Sequence, residues 1–227
     1  MLNNLIDILI APNQVFGRLK EKPAWFLPWL LVFLMTASVQ LGFFSLVDSE
    51  YLLNQLVEQS LQPGIAERDL RATLQVQVDN KSLLIVSSVV GVFIGLLLIM
   101  AIKAAYFLLV SKLTDKTISY KSWYSLVAWC SVPGIFTALA AWLVILSSGG
   151  MIDITALNPL NLDYLTANRE GVFSSWLRAI DLMAIWALVL AILGYQSFTS
   201  CSTTKASIIV LTPYVLVFGI WAIIIVF

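Results

Sequence analysis

Three ionisable side chains lie inside long apolar stretches of the sequence, and their types and positions could support chemistry. They are Lys103, Arg178 and Asp181. A charged side chain within a membrane span costs at least about 2.5 kcal/mol, so such residues are candidates for a functional site by default. Lys103 and Asp181 would form a proton or ion relay if they met. A helical rise of 1.5 Å per residue instead places them near opposite membrane surfaces.

Arg178 is a nearer partner for Asp181, because it lies three positions earlier on the same helical face. Two interpretations of this pair remain open: a local ion pair near the outer interface, or a polar site that opens to the periplasmic side. Lys103 also has two interpretations. Its side chain extends to the inner headgroups, or it contacts anionic lipid together with the nearby Lys112 and Lys116.

No arrangement of residues typical of an enzyme occurs in the sequence. Its 227 residues include no histidine, which removes the commonest acid/base group and metal ligand. The nucleophile elbow, the Walker loop and the dinucleotide fingerprint are also absent from the sequence. The two cysteines, Cys130 and Cys201, are too few for a disulfide scaffold. We therefore expect a non-enzymatic protein with no catalytic residue, metal or cofactor.

The composition is that of a membrane protein. Hydrophobic residues make up 60% of the chain and charged residues 11%, with a mean hydropathy of +0.92. A soluble domain is about half apolar and about a quarter charged, so a water-soluble globular fold is excluded. Thirteen basic residues balance thirteen acidic ones, which argues against a nucleic-acid partner.

Five apolar stretches are long enough to cross a bilayer, which takes about 20 residues of helix. They are Trp25–Val47, Leu83–Val110, Trp123–Leu146, Trp176–Phe198 and Ala206–Phe227. None alternates apolar and polar residues as the strands of a membrane barrel do. The sequence therefore predicts an all-α polytopic membrane protein with five transmembrane helices in a single membrane domain, residues 1–227.

The charges between these stretches predict the orientation, since cytoplasmic loops are enriched in Lys and Arg. If the N-terminus is inside, three acidic residues face the cytoplasm together with seven basic ones: Arg18, Lys20, Lys22, Lys112, Lys116, Lys121 and Lys205. The outer loops then hold four basic residues (Arg68, Arg71, Lys81 and Arg169) against nine acidic ones: Asp48, Glu50, Glu58, Glu67, Asp69, Asp79, Asp153, Asp163 and Glu170. This asymmetry predicts a cytoplasmic N-terminus and a C-terminus outside.

Two segments outside the spans have helical periodicity. Within residues 1–24, apolar residues share one face of a first helix: Leu2, Leu5, Ile6 and Leu9. This segment is either an interfacial amphipathic helix on the inner leaflet or a short helix packed under the bundle, and both can hold. The outer loop 48–82 predicts two helices on either side of Pro63-Gly64, arranged as a hairpin or resting separately on the outer leaflet.

Proline and small residues indicate where the spans bend and pack. Pro133 and Pro213 fall inside the third and fifth spans, and each is expected to kink its helix. Ser87, Gly91 and Gly95 recur at every fourth position of the second span, a pattern that allows close helix packing. A similar stripe in the fourth span consists of Ala184, Ala187, Ala191 and Gly194.

Two long blocks resemble the Yip family of Ypt/Rab-interacting membrane proteins. One is SKLTDKTISYKSWYSLVAWCSVPGIFTALAAWLVIL, which carries Pro133, and the other is IDLMAIWALVLAILGYQSFTSCSTTKASIIVLTPYVLV, with Asp181, Trp186, Gly194, Lys205 and Ala206. Pro12 and Phe16 match a Pro-x-x-x-Phe pattern before the first span. The resemblance implies five membrane helices with a cytoplasmic N-terminus and no catalytic residue. Eukaryotic members carry a long cytosolic N-terminal region and act with Rab GTPases. Because only 24 residues precede the first span here, the resemblance points to the bacterial inner-membrane branch and away from a Rab-type partner.

These observations lead to two functional hypotheses. The first is a non-enzymatic scaffold in the bacterial inner membrane that organises membrane proteins or lipid, with lipid, another membrane protein or a second copy as partner. The alternative is a transporter or channel for a lipid or a small hydrophobic solute. It would use Pro133 and Pro213 as hinges and Arg178 and Asp181 as its polar site.

Overall fold

The computed structural model describes residues 3–62, 64, 66–166 and 171–226. Twelve α-helices are assigned in these ranges: α1 (Asn3–Ile10), α2 (Pro12–Glu21), α3 (Phe26–Leu46), α4 (Ser49–Ser60), α5 (Glu67–Asp79), α6 (Lys81–Leu113), α7 (Tyr120–Cys130), α8 (Gly134–Ser147), α9 (Leu162–Thr166), α10 (Ser174–Arg178), α11 (Leu182–Thr199) and α12 (Thr203–Val226). A 3-10 turn spans Ile154–Leu157. Some residues used in the sequence predictions lie outside the described ranges: Leu2, Pro63, Arg169, Glu170 and Phe227.

Five helices in the described part of the chain are long and apolar enough to cross a membrane. They are Phe26–Leu46, Lys81–Leu113, Tyr120–Ser147, Leu182–Thr199 and Thr203–Val226. The predicted all-α polytopic fold with five transmembrane helices is therefore confirmed. The described ranges contain no β-strand, and their one isolated bridge pairs Asn161 with Asp181.

The fourth span begins later than predicted. Trp176 belongs to the separate helix α10, and α11 starts only at Leu182. The helix is interrupted between them because the backbone on either side of Asp181 pairs with the backbone on either side of Asn161. The Leu162 amide donates to the Ile180 carbonyl, and the Leu182 amide donates to the Leu160 carbonyl. The apolar pattern runs through this break, so hydropathy alone does not reveal it.

The N-terminal helix α2 packs beneath one end of the bundle, against α7 and α11, and α1 packs on α2. Val15, Phe16 and Leu19 of α2 are buried, and an Arg18–Asp7 ion pair ties the two helices together. Ile6 and Ile10 of α1 stay exposed. Packing under the bundle is thus observed, and an apolar edge remains for the interface.

A helical hairpin lies at the other end of the bundle, where α4 packs against α5. Asp48 caps α4 by accepting a hydrogen bond from the Tyr51 amide at 2.9 Å. The hairpin joins the bundle through one apolar cluster whose buried members are Val39, Phe43, Val47, Leu52, Leu53, Val57, Leu74, Val78, Ala138, Ala141, Ile145 and Ile152. Of the two arrangements left open by the sequence, the structure has the packed hairpin.

The third span is divided at Ser131–Pro133, between α7 and α8. Helix α7 also holds the backbone that enters the first span. Ser125 accepts a hydrogen bond from the Ala24 amide at 2.9 Å, and the Trp129 indole donates to the Ala24 carbonyl at 2.7 Å. Ala24 precedes the first turn of α3, so its amide and carbonyl have no partner within that helix. Two side chains of the third span therefore satisfy the backbone at the entry to the first span.

Pro213 lies inside α12, which continues as one helix through it. Proline removes the hydrogen bond to the carbonyl four residues earlier, here that of Ile209. The Tyr106 hydroxyl of α6 donates to this carbonyl at 2.7 Å. This bond fastens α12 to α6 at the point where the proline weakens the helix.

Tyr106→Phe is expected to lower the free energy of unfolding by about 1 kcal/mol, because it leaves the Ile209 carbonyl unpaired. In a Pro213→Ala background, the backbone regains an N–H at this position, and that N–H can bond to the carbonyl. The same Tyr106→Phe change should then cost little. Denaturant titration of the four proteins in detergent measures the coupling. Equal losses in both backgrounds would show that the hydroxyl does not compensate for the proline.

Candidate functional site

Asp181, the candidate acidic residue, caps the N-terminus of α11. Its carboxylate accepts hydrogen bonds from the amides of Met183 at 2.7 Å and Ala184 at 2.9 Å. The Thr137 hydroxyl of α8 donates to the same carboxylate at 3.2 Å. An aspartate at this position satisfies two of the amides that a helix start leaves unpaired. These hydrogen bonds fix the start of the fourth span against α8.

Arg178 pairs with Asp163, and the predicted Arg178–Asp181 pair is wrong. The Arg178 Nε donates to Asp163 Oδ2 at 3.0 Å, and its Nη2 donates to the Ser174 hydroxyl at 2.8 Å. The break before α11 turns residue 181 away from the helical face of residue 178, which removes the spacing of three on which the prediction rested. Asp163 is almost buried, and its second oxygen, Oδ1, has no hydrogen-bond partner among the described residues. The sequence offered no local signal for this pair, since fifteen residues separate the two.

A groove of about 660 Å³ lies between α6, α8, α11 and α12, and both Lys103 and Asp181 line it. The sequence predicts these two side chains near opposite membrane surfaces and does not predict the groove that they share. Ala184, Ala187 and Ala191 line the groove, so these members of the predicted alanine stripe provide space where close helix packing was expected.

The Lys103 ammonium lies over the ring of Tyr214, 5.6 Å from its centroid. Tyr214 is the twelfth residue of the 24-residue helix α12, so its ring is near the middle of that span. The predicted extension of Lys103 towards the inner headgroups is not what the structure shows. Sequence reasoning missed Tyr214, although it directly follows the proline that was singled out.

The stripe of Ser87, Gly91 and Gly95 faces away from the bundle. Ser87 and Gly91 are exposed, and a Cβ atom built on Gly91 or Gly95 meets nothing within 4 Å. The predicted close packing therefore has no partner in the described part of this chain. The helix turns another row of residues inward: Met100, Ala104, Phe107 and Ser111.

Several residues that carry the family resemblance meet in the structure. Pro12 is the first residue of α2, where its missing N–H costs nothing. One turn later, Phe16 packs on Gly194 of α11, where an added Cβ would lie 3.1 Å from Phe16 Cε1 and 2.9 Å from a Leu126 methyl carbon. The Pro-x-x-x-Phe pattern and this glycine therefore form one packing unit between the N-terminal segment and the fourth span.

Comparison with known proteins supports this resemblance. A family model described as the Yip1 domain matches residues 6–225. No curated protein and no solved structure matches the chain. The family match covers nearly the entire sequence and the whole five-helix bundle, and the chain therefore belongs to the Yip1 domain family of multi-pass integral membrane proteins.

Proposed function

We propose that this Yip1-family chain is a non-enzymatic scaffold of the bacterial inner membrane that organises other membrane proteins or lipid. Its N-terminus would lie in the cytoplasm, as the excess of Lys and Arg in the segments around α2 and between α6 and α7 suggests. A second copy or another integral membrane protein is the proposed protein partner. Nucleic acid and Rab-type GTPases are not among the proposed partners.

The observation that carries this proposal is the outward-facing stripe of Ser87, Gly91 and Gly95 on α6. Small residues at every fourth position let two helix backbones approach closely, and this drives helix association in membranes. Here the stripe is unoccupied by the described part of the chain. A helix from outside the chain can therefore pack against it without displacing anything.

The polar residues do not favour the transporter alternative in the same way. Arg178 is engaged by Asp163 and Ser174, and Asp181 by the start of α11 and by Thr137. A solute site at these residues would compete with bonds that hold the fourth span in place. The geometry therefore supports the scaffold best.

Gly91→Leu is expected to weaken association, because its side chain prevents close approach of a second helix. We expect at least about a tenfold rise in the dissociation constant, equivalent to about 1.4 kcal/mol. Energy transfer between labelled copies in vesicles measures self-association, and co-purification from native membranes in mild detergent measures capture of other proteins.

Gly219→Leu provides the matched control. Gly219 is an exposed glycine of α12 with no atom within 4 Å of its Cβ position, so this variant adds equal apolar bulk away from the stripe. It should associate like the unchanged protein. If Gly91→Leu associates equally well, or if the unchanged protein binds neither a copy nor a partner, the proposal fails.

A further inference from the structure

The groove between α6, α8, α11 and α12 carries two charged groups at different depths: Asp181 at the start of α11, and Lys103 beside Tyr214 in the middle of α12. Among the described residues that line it, Lys103 is the one basic side chain and Asp181 the one acidic side chain. Most of the remaining lining is apolar. Its volume of about 660 Å³ lies within the range of about 300–1,000 Å³ typical of sites that enclose one small molecule.

The two charged groups differ in the number of polar partners that they have in the structure. Asp181 has two backbone donors and the Thr137 hydroxyl. The ion pairs found in the described part of the chain are Arg18–Asp7 and Arg178–Asp163, so Lys103 has no carboxylate partner there. The contact of the Lys103 ammonium with the Tyr214 ring supplies only the attraction between a cation and an aromatic face.

The depth of this ammonium limits what can neutralise it. Helix α12 has 24 residues, or about 36 Å at 1.5 Å per residue, and Tyr214 lies at its centre. The hydrocarbon layer is about 30 Å thick, so a phospholipid headgroup at the interface would remain about 15 Å from that level. An amphiphile small enough to enter the groove whole can bring an anion there.

We propose that the groove binds one long-chain fatty acid, with its carboxylate on the Lys103 ammonium and its chain along the apolar walls. The anion offsets the cost of an unpaired lysine at the centre of a span, and the ammonium offsets the cost of burying the carboxylate. Asp181 repels a carboxylate from the start of α11, so the ligand has one orientation. This proposal does not depend on the α6 stripe or on association with a partner.

The test uses the full chain in phosphatidylcholine vesicles with a photoreactive C16 fatty acid and the matching photoreactive C16 alcohol. We expect the acid to label groove residues, located by mass spectrometry, and the alcohol to label them at least tenfold less. Lys103→Met should reduce labelling by the acid at least tenfold, whereas Lys103→Arg should retain it. Lys112→Met, on the same helix but outside the groove, should leave it unchanged.

Gly134→Leu provides a second variant that leaves Lys103 in place. Gly134 lines the groove, and its Cβ position has no atom within 4 Å, so a leucine side chain fills the space meant for the ligand. Labelling should again fall at least tenfold. The proposal is overturned if acid and alcohol label equally, if Lys103→Met labels like the unchanged protein, or if a photoreactive phosphatidic acid shows the Lys103 dependence and the fatty acid does not.

Discussion

Gly42→Leu is expected to lower the free energy of unfolding by about 3 kcal/mol or more, the upper range for overpacking a core. Gly42 is a buried residue of α3, and a Cβ atom there would lie 2.9 Å from Cζ2 and Cζ3 of the Trp142 ring. The ring cannot move aside cheaply, because its indole N–H donates to the Ser38 hydroxyl at 3.0 Å. Denaturant titration in detergent measures the loss.

Gly91→Leu is the matched control for this change. Both glycines lie inside spanning helices, so both replacements gain the same helix propensity, up to about 1 kcal/mol. Of these two glycines, Gly42 packs against an aromatic ring, whereas a Cβ atom built on Gly91 meets nothing within 4 Å. Gly91→Leu should therefore unfold at the same denaturant concentration as the unchanged protein or slightly higher. Similar stability of the two variants would mean that Trp142 does not pack on α3 as described.

Arg178→Met is expected to cost about 2–3 kcal/mol, because it leaves the buried Asp163 carboxylate without its cation. The fully buried pairs for which such losses are known cost about 3–5 kcal/mol. The lower figure follows from the exposure of the Arg178 side chain, which is 37% against 6% for Asp163. In the Asp163→Asn background, Arg178→Met should cost much less, and denaturant titration of the four proteins measures the difference.

The second ion pair found in the described part of the chain provides a control. The side chains of Arg18 and Asp7 are 47% and 25% exposed, and an exposed pair contributes about 0–1 kcal/mol. Arg18→Met should therefore change the stability far less than Arg178→Met. Comparable losses at the two sites would contradict a buried role for Asp163.

The five spans could be predicted because crossing a bilayer is a property of a continuous run of residues. Spans one, two, three and five begin within three residues of their predicted positions. The predicted start of the fourth span is wrong because the helix is interrupted before Asp181, inside an apolar run. The two helices on either side of Gly64 were also readable from local periodicity. Their packing as a hairpin against Phe43 and Ile145 was not, since it depends on contacts distant in sequence.

The candidate site was predicted only as a set of residue types. Lys103 lies inside α6, but Asp181 lies just before α11 and not inside a span as predicted. The groove that both residues line depends on how α6 and α11 rotate about their axes. The ion-pair partner of Arg178 likewise depends on the interruption of the helix between α10 and α11, where Asp163 lies beside Arg178.

Transfer of a chain segment from water to lipid depends on its own composition, so the amino-acid sequence alone established the number, the approximate length and the helical nature of the spans. Which face of each helix turns inward depends on side chains from several spans meeting at once. Phe16 settling on Gly194, Tyr106 bonding beside Pro213 and the small-residue stripe of α6 turning outward are all outcomes of that joint packing. Only the folded bundle reveals them, because no single segment carries the contact that decides its orientation.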